Sequence, residues 1–280
     1  MLIDGTPADC NPVSDRGVQY GDGLFETIAW IDGAPCLWRE HMGRLAAGAA
    51  QLGIAFPGAD ILLAEASVVA AGRSRATVKI IVTRGSSGRG YRTPSLPQSR
   101  RILSVYPWPD YEESVSCGGI AAIWCKTAIG INPDLAGLKH LNRLEQVLAR
   151  SEWREPDIAE GVMCDPDGWV ISGTMSNLFL VSGGLLVTPS LDRCGVAGVV
   201  RRLVMKEARA QGFHVRETRL KPSDLASFDG AFVTNSLLGV RPLARLGERS
   251  FSVGAIPQEF VSAVNRRAFS GDPSLRAGRT

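Results

Sequence analysis

The feature that most limits the fold is a break, Pro107-Trp108-Pro109-Asp110-Tyr111-Glu112-Glu113, where prolines and acids interrupt the apolar pattern. Proline neither continues a helix nor donates to a sheet ladder, so no regular element runs through this stretch. On each side, short β-branched runs alternate with amphipathic helical stretches, the pattern of mixed α/β layers. The chain has 280 residues, enough for two medium-sized cores. The expectation is therefore an α/β protein (α+β mixed) of two domains. The first covers 1–107, a linker covers 108–117, the second covers 118–269, and a disordered tail covers 270–280.

In the first part, 2–4 and 24–31 read as strands. They are joined by the turn-rich Asn11-Pro12-Val13-Ser14-Asp15-Arg16-Gly17 and Tyr20-Gly21-Asp22-Gly23. Strand alternation sends Phe25 and Thr27 to one face and Glu26 to the other. Residues 41–52 read as a helix whose stripe is Met42, Leu45, Ala46, Ala49 and Leu52, with Arg44 beside that stripe. A second helix is expected at 59–72, and strands at 77–83 and 101–106. Between these strands lies Arg84-Gly85-Ser86-Ser87-Gly88-Arg89-Gly90-Tyr91. Long glycine-rich loops are either mobile or functional. This one lacks the G-x-G-x-x-G spacing and the crossover helix of a dinucleotide site.

The second part opens with a strand near 120–125. An irregular run, Ile131-Asn132-Pro133-Asp134, then leads to Gly137-Leu138-Lys139-His140-Leu141-Asn142-Arg143-Leu144-Glu145. Leu141, Leu144, Val147 and Leu148 follow helical spacing, which predicts a helix to about 154 with Lys139 at its entrance. A lysine whose stem turns inward loses its proton more readily, because burial penalises the ammonium. A neutral lysine amine is what Schiff-base chemistry requires. Short strands are expected at 158–164, 168–172, 177–182, 184–188, 229–235 and 240–246, with a closing helix at about 256–268. Two glycines in Cys194-Gly195-Val196-Ala197-Gly198-Val199-Val200-Arg201 lead into a helix to about 211. The amides at such a helix start suit an anion, although glycines there also serve tight packing.

Charge narrows the partners. Lysine and arginine number 31 against 28 acids, a net charge of +3, and no basic block is interleaved with aromatics. That argues against nucleic acid or a membrane surface as the main partner. No apolar run approaches the roughly 18 residues of a membrane span, and the start lacks a signal-peptide pattern. The six cysteines form no C-x-x-C pair and none of the three histidines pairs with one. No metal site is expected, and the thiols are read as reduced core residues of a cytoplasmic enzyme.

Several motifs resemble the fold-type IV pyridoxal-phosphate enzymes, a family of branched-chain and D-amino-acid aminotransferases and aminodeoxychorismate lyases. They are Ser14-Asp15-Arg16 with Tyr20-Gly21-Asp22-Gly23-Leu24-Phe25-Glu26-Thr27, His41-x-x-Arg44-Leu45, and Ser176-Asn177-Leu178-Phe179. The run Leu138 to Glu145 and the loop Arg84 to Tyr91 resemble the lyases in particular. The resemblance covers about 2–260 in order. It implies a homodimer, with its active site between two domains and near the subunit interface. Lys139 is implied to bond pyridoxal 5'-phosphate, with Arg44, Ala197, Gly198, Val199, Asn235 and Ser236 around the phosphate. It also implies Thr27, Arg89, Tyr91 and, as a distant second arginine, Arg241 on the substrate side. The implied reaction turns 4-amino-4-deoxychorismate into 4-aminobenzoate and pyruvate. One departure stands out, because Ser172 occupies the place where the family commonly has a glutamate facing the pyridine nitrogen. A hydroxyl does not hold that nitrogen's proton by charge, which weakens transamination more than elimination. The competing expectations are an aminotransferase of the same family and a pyridoxal-phosphate-binding homologue with weakened catalysis.

Overall fold

The computed structural model describes residues 1–95, 98–109 and 118–275. Most of the expected linker (110–117) and the end of the expected tail (276–280) lie outside the described residues. The chain divides into two compact units. The first comprises the described parts of Met1–Pro109, Leu138–Asn142 and Phe269–Thr280, and the second those of Asp110–Gly137 and Arg143–Ala268. Lys139 thus groups with the first unit, not with the C-terminal domain expected to carry it.

The first unit is built on β1 (Leu2–Ile3), β2 (Thr6–Pro7), β3 (Gly23–Ile31), β4 (Ala34–Pro35), β5 (Arg75–Thr83) and β6 (Arg100–Tyr106). They form an antiparallel sheet in the order β2-β1-β6-β5-β3-β4. Its helices are α1 (Arg16–Tyr20), α2 (Trp38–Leu52) and α3 (Ala59–Val69). The alternation along β3 is visible in burial: Leu24, Glu26, Ile28 and Trp30 are buried, whereas Phe25 and Thr27 are half-buried. Ile28, Val78, Ile80, Leu103, Leu45 and Leu62 are fully enclosed, and each such side chain stabilises the unit by about 1.5–3 kcal/mol. The short α1 falls where the sequence suggested only turns. It forms because Asp15, itself buried, accepts from Gly17 N–H and caps it. Residues 271–275, expected in a disordered tail, are tied down instead: Gly271 bridges Cys36 and Pro273–Leu275 makes a 3₁₀ turn. A Cβ on Gly271 would lie 2.8 Å from the Ile31 carbonyl oxygen, so this close approach requires glycine.

The second unit carries β7 (Ile120–Trp124), β8 (Ile158–Cys164), β9 (Val170–Gly173), β10 (Asn177–Ser182) and β11 (Leu185–Pro189). β12 (His214–Thr218), β13 (Gly230–Asn235), β14 (Gly239–Leu246) and β15 (Arg249–Ser250) complete it. The sheet order is β12-β11-β10-β13-β14-β7-β8-β9, with β15 on β14. Its helices are α4 (Leu144–Arg150), α5 (Val199–Ala210) and α6 (Gln258–Ala268). Both faces of the central strands are covered. Leu178, Leu180, Val233 and Leu243 join one apolar cluster, while Phe179 stacks on Phe232 and Phe232 meets Phe260 of α6 edge-on. Strands covered on both faces read as unbroken apolar runs, which is why 177–182 was easy to recognise.

The helix after Lys139 departs from expectation. Only Leu144–Arg150 is helical, and Leu144, Val147 and Leu148 are 76%, 58% and 61% exposed. The spacing was helical, but the stripe faces outward.

Candidate active site

Lys139 does not cap a helix; it extends a sheet. Phe25 N–H donates to the Lys139 carbonyl at 3.0 Å, and Leu141 N–H donates to the Gly23 carbonyl at 3.0 Å. His140 bridges Leu24 in antiparallel register. Residues 139–141 therefore serve as a short extra strand on the edge of β3. That register puts Lys139 on the face of Phe25 and Thr27, and its Nζ lies 4.1 Å from the Phe25 ring centre. Lys79 of β5 sits opposite Thr27, and its Nζ is 5.3 Å from the same ring centre. Nothing local in the sequence marks Lys79 as a site residue. Strand alternation around it was available, but the pairing of β5 with β3 was not.

On the reverse face of β3, Glu26 meets α2. Arg44 Nε donates to Glu26 Oε1 at 2.8 Å and Arg44 Nη2 to Glu26 Oε2 at 2.5 Å, while His41 Nδ1 lies 2.6 Å from Glu26 Oε2. Burial is the largest influence on Glu26 and pushes its carboxyl up, but Arg44 and His41 together outweigh it and hold it down at about 2. His41 is buried beside an arginine that already balances Glu26. Its own pKa is lowered, by burial first and with Arg44 and Lys139 contributing, against the pull of Glu26. Arg44, expected at a phosphate, is thus a buried arginine already fixed by a bidentate pair.

The loop bearing Arg89 and Tyr91 also belongs to this unit. Both side chains are exposed, Tyr91 by 83%. Its backbone is held from beneath by Arg16, which donates to Ser87 Oγ and to the carbonyls of Gly90, Tyr91 and Arg92.

In the second unit the expected anion turn is made of backbone and neutral groups. Gly137, two residues before Lys139, donates to the Gly195 carbonyl and accepts from Ala197 N–H. Gly198 N–H donates to Asn177 Oδ1 at 3.1 Å, and Asn177 Nδ2 donates to the Val196 carbonyl at 2.9 Å. Of the three expected amides, those of Ala197 and Gly198 are therefore engaged within the protein. Val199 opens α5, where the first amides have no carbonyl one turn back. Asn235 Oδ1 accepts from Leu237 and Leu238 N–H, shaping the turn that carries Ser236. Thr234 shares a sheet face with Asn177, and its buried Oγ1 has no hydrogen-bond partner among the described residues. These donors fit a phosphate monoester. Arg241 pairs with Val233, on the face of Leu178 and opposite that of Asn177 and Thr234, so this turn does not include it.

Ser172 is buried in β9 and its Oγ donates to the Gly173 carbonyl at 2.9 Å. Glu160 does not supply the carboxylate that Ser172 lacks. It lies on the face of Gly173, whereas Ser172 shares the face of Met163. Its oxygens are taken by Gly161 N–H, by Thr174 N–H and Oγ1, and by Ser176 Oγ. Burial raises the thiols of Cys36 and Cys125 to about 12 and of Cys164 and Cys194 to about 11, which leaves them protonated. Among the described residues, no helix is long and apolar enough to cross a membrane.

Comparison with known proteins identifies relatives of the whole chain. An aminodeoxychorismate lyase of Vibrio harveyi is 34% identical, over 94% of this chain and 98% of its own. A crystal structure of 4-amino-4-deoxychorismate lyase from Pseudomonas aeruginosa matches with a TM-score of 0.91 at 40% identity, over 96% of this chain and 99% of that one. A putative branched-chain-amino-acid aminotransferase of Methanocaldococcus jannaschii is 29% identical, over 85% of this chain and 83% of its own. The model of amino-transferase class IV matches residues 23–246, from the start of β3 to the end of β14, and the chain belongs to that family.

Proposed function

We propose that this protein is a pyridoxal-phosphate-dependent aminodeoxychorismate lyase, acting as a cytoplasmic homodimer. The observation that carries the reading is Lys139, held by backbone pairing on β3 with its amine over the Phe25 ring, on the sheet face that also carries Thr27 and Lys79. The similarity to lyases over nearly the whole chain supports it. Lys139, Arg44, Ser172, Val199, Asn235 and Ser236 are the residues proposed to hold the cofactor, with Ala197 and Gly198 shaping the turn.

Bound pyridoxal phosphate supplies an electron-withdrawing ring that acidifies the substrate carbon bearing the amine. Lys139 Nζ takes the proton from that carbon, the bond to the enolpyruvyl oxygen breaks, and the carbocycle becomes aromatic. The same amine returns the proton to the departing group, which leaves as pyruvate. Lys79 and Arg89 are proposed for the two substrate carboxylates, with Thr27 and Tyr91 beside them. Ser172 favours elimination, because a hydroxyl engaged with the Gly173 carbonyl does not hold a pyridine proton by charge.

The outward stripe Leu144, Val147 and Leu148 supports the homodimer, since exposed contiguous apolar side chains mark interaction sites. The reading is tested by generating the substrate enzymatically and following both products. Equal formation of 4-aminobenzoate and pyruvate supports it. Cofactor-loaded protein that forms neither, yet converts its cofactor with simple amino acids, establishes the aminotransferase instead.

A further inference from the structure

We propose that Arg16 is a positioning residue, which fixes the backbone of the 87–92 loop and thereby presents Arg89 and Tyr91 to substrate. The proposal rests on the substrate-side reading of those two residues. Arg16 is only 3% exposed, yet it carries a charge that must be met by acceptors. Nearly all of them lie in one loop. Nη1 donates to Ser87 Oγ at 3.0 Å, to the Gly90 carbonyl at 3.1 Å and to the Arg92 carbonyl at 3.4 Å, and Nη2 donates to the Tyr91 carbonyl at 3.1 Å. The remaining arm, Nε, donates to Asp22 Oδ2 at 2.8 Å.

Asp22 is itself braced. Arg84 donates Nε to its Oδ2 at 2.8 Å and Nη2 to its Oδ1 at 3.0 Å, and is anchored on the Leu52 and Gly53 carbonyls at the end of α2. A line of support thus runs from α2 through Arg84, Asp22 and Arg16 to the loop. Tyr20 closes the assembly: its hydroxyl accepts from Gly90 N–H at 3.2 Å, its ring lies 5.0 Å from the Arg16 guanidinium, and it meets Tyr91 edge-on. The loop is held through three carbonyls, the Ser87 hydroxyl and the amides of Ser87 and Gly90, leaving the Arg89 and Tyr91 side chains exposed. Only a planar, five-donor fork reaches three successive carbonyls, so lysine does not substitute.

The test uses holoenzyme carrying Arg16→Lys, read by hydrogen exchange and by steady-state kinetics. Exchange across 86–92 is expected to rise at least about tenfold, the loss of one or more charge-assisted bonds, with α2 and β5 unchanged. KM is expected to rise about tenfold, with kcat within about twofold and the cofactor absorbance retained. Asp22→Asn, which keeps Arg16 but removes its counter-charge, is expected to show the same split, smaller. Arg89→Ala separates the two readings. If Arg16→Lys loosens the loop but neither it nor Arg89→Ala moves KM, the substrate-side reading fails and the positioning role falls with it. If Arg89→Ala raises KM while Arg16→Lys leaves exchange and KM unchanged, the positioning role alone is overturned.

Discussion

The two units hold their functional groups by different physics. In the first, buried charges fix one another: Glu26 with Arg44 and His41, and Asp22 with Arg16 and Arg84. In the second, the turn at 195–199 is fixed by Gly137 and Asn177, and the turn carrying Ser236 by Asn235, through neutral amides and carbonyls. Charged side chains oriented before a ligand arrives need partners inside the protein, and their protonation then couples to stability. Backbone donors need none and are blind to pH. The buried pairs around Glu26 in the first unit are therefore sensitive to acid, whereas the turn proposed for an anion in the second is held by groups that do not titrate.

The largest effect expected is from Lys139→Ala, which removes the amine without removing the backbone pairing of 139–141. Product formation should fall roughly a thousandfold or more, while circular dichroism stays that of the wild type. Next is Glu26→Gln, which leaves buried Arg44 without its counter-charge and should cost about 3 kcal/mol in urea denaturation. Its pH dependence has a definite sign. Glu26 lies at about 2 in the folded chain against 4.5 ordinarily, so its contribution is full above pH 4.5 and fades as pH falls toward 2. His41 is lowered from 6.5, so the unfolded chain takes up that proton first, and acid begins to cost stability near that value. A wild-type stability profile falling from about pH 6.5 downward, flattened in its lower part by Glu26→Gln, is the expected result.

Leu148→Glu puts a charge into the outward stripe of α4 and should shift sedimentation from dimer toward monomer, without loss of fold. Asn177→Ala frees Gly198 N–H and the Val196 carbonyl. It should cost about 1–3 kcal/mol and weaken cofactor affinity by absorbance titration, yet leave the pH profile unaltered; a changed profile would erase the contrast between the units. The smallest effect is expected from Ser172→Glu: a slow, newly measurable conversion of cofactor to its pyridoxamine form by amino acids. Failure of a folded, loaded variant to gain it would remove Ser172 from the account of specificity.

Much of this was legible in the sequence. Strand alternation assigned Phe25, Thr27 and Glu26 to their faces, and the glycine pair at 195–198 marked the start of α5. What was hidden depends on contacts far apart in sequence. Period alone does not say whether an apolar stripe meets a core or a surface, so Leu144, Val147 and Leu148 were read without their exposure. The pairing of β3 with β5 brings Lys79 to Phe25, and the pairing of β3 with 139–141 turns an expected helix entrance into a sheet edge. Arg44, proposed at the phosphate on the family resemblance, shows in the sequence only as an arginine beside an apolar stripe. Its bond to Glu26 spans 18 residues and two elements, which no local pattern reveals.

Two lysines face one phenylalanine, and the cofactor is proposed on one of them. Borohydride reduction of the loaded enzyme, followed by peptide mapping, tests this directly. The expected result is cofactor fixed to the peptide containing Lys139, with Lys79 unmodified; label on Lys79, or on neither, contradicts the assignment of Lys139.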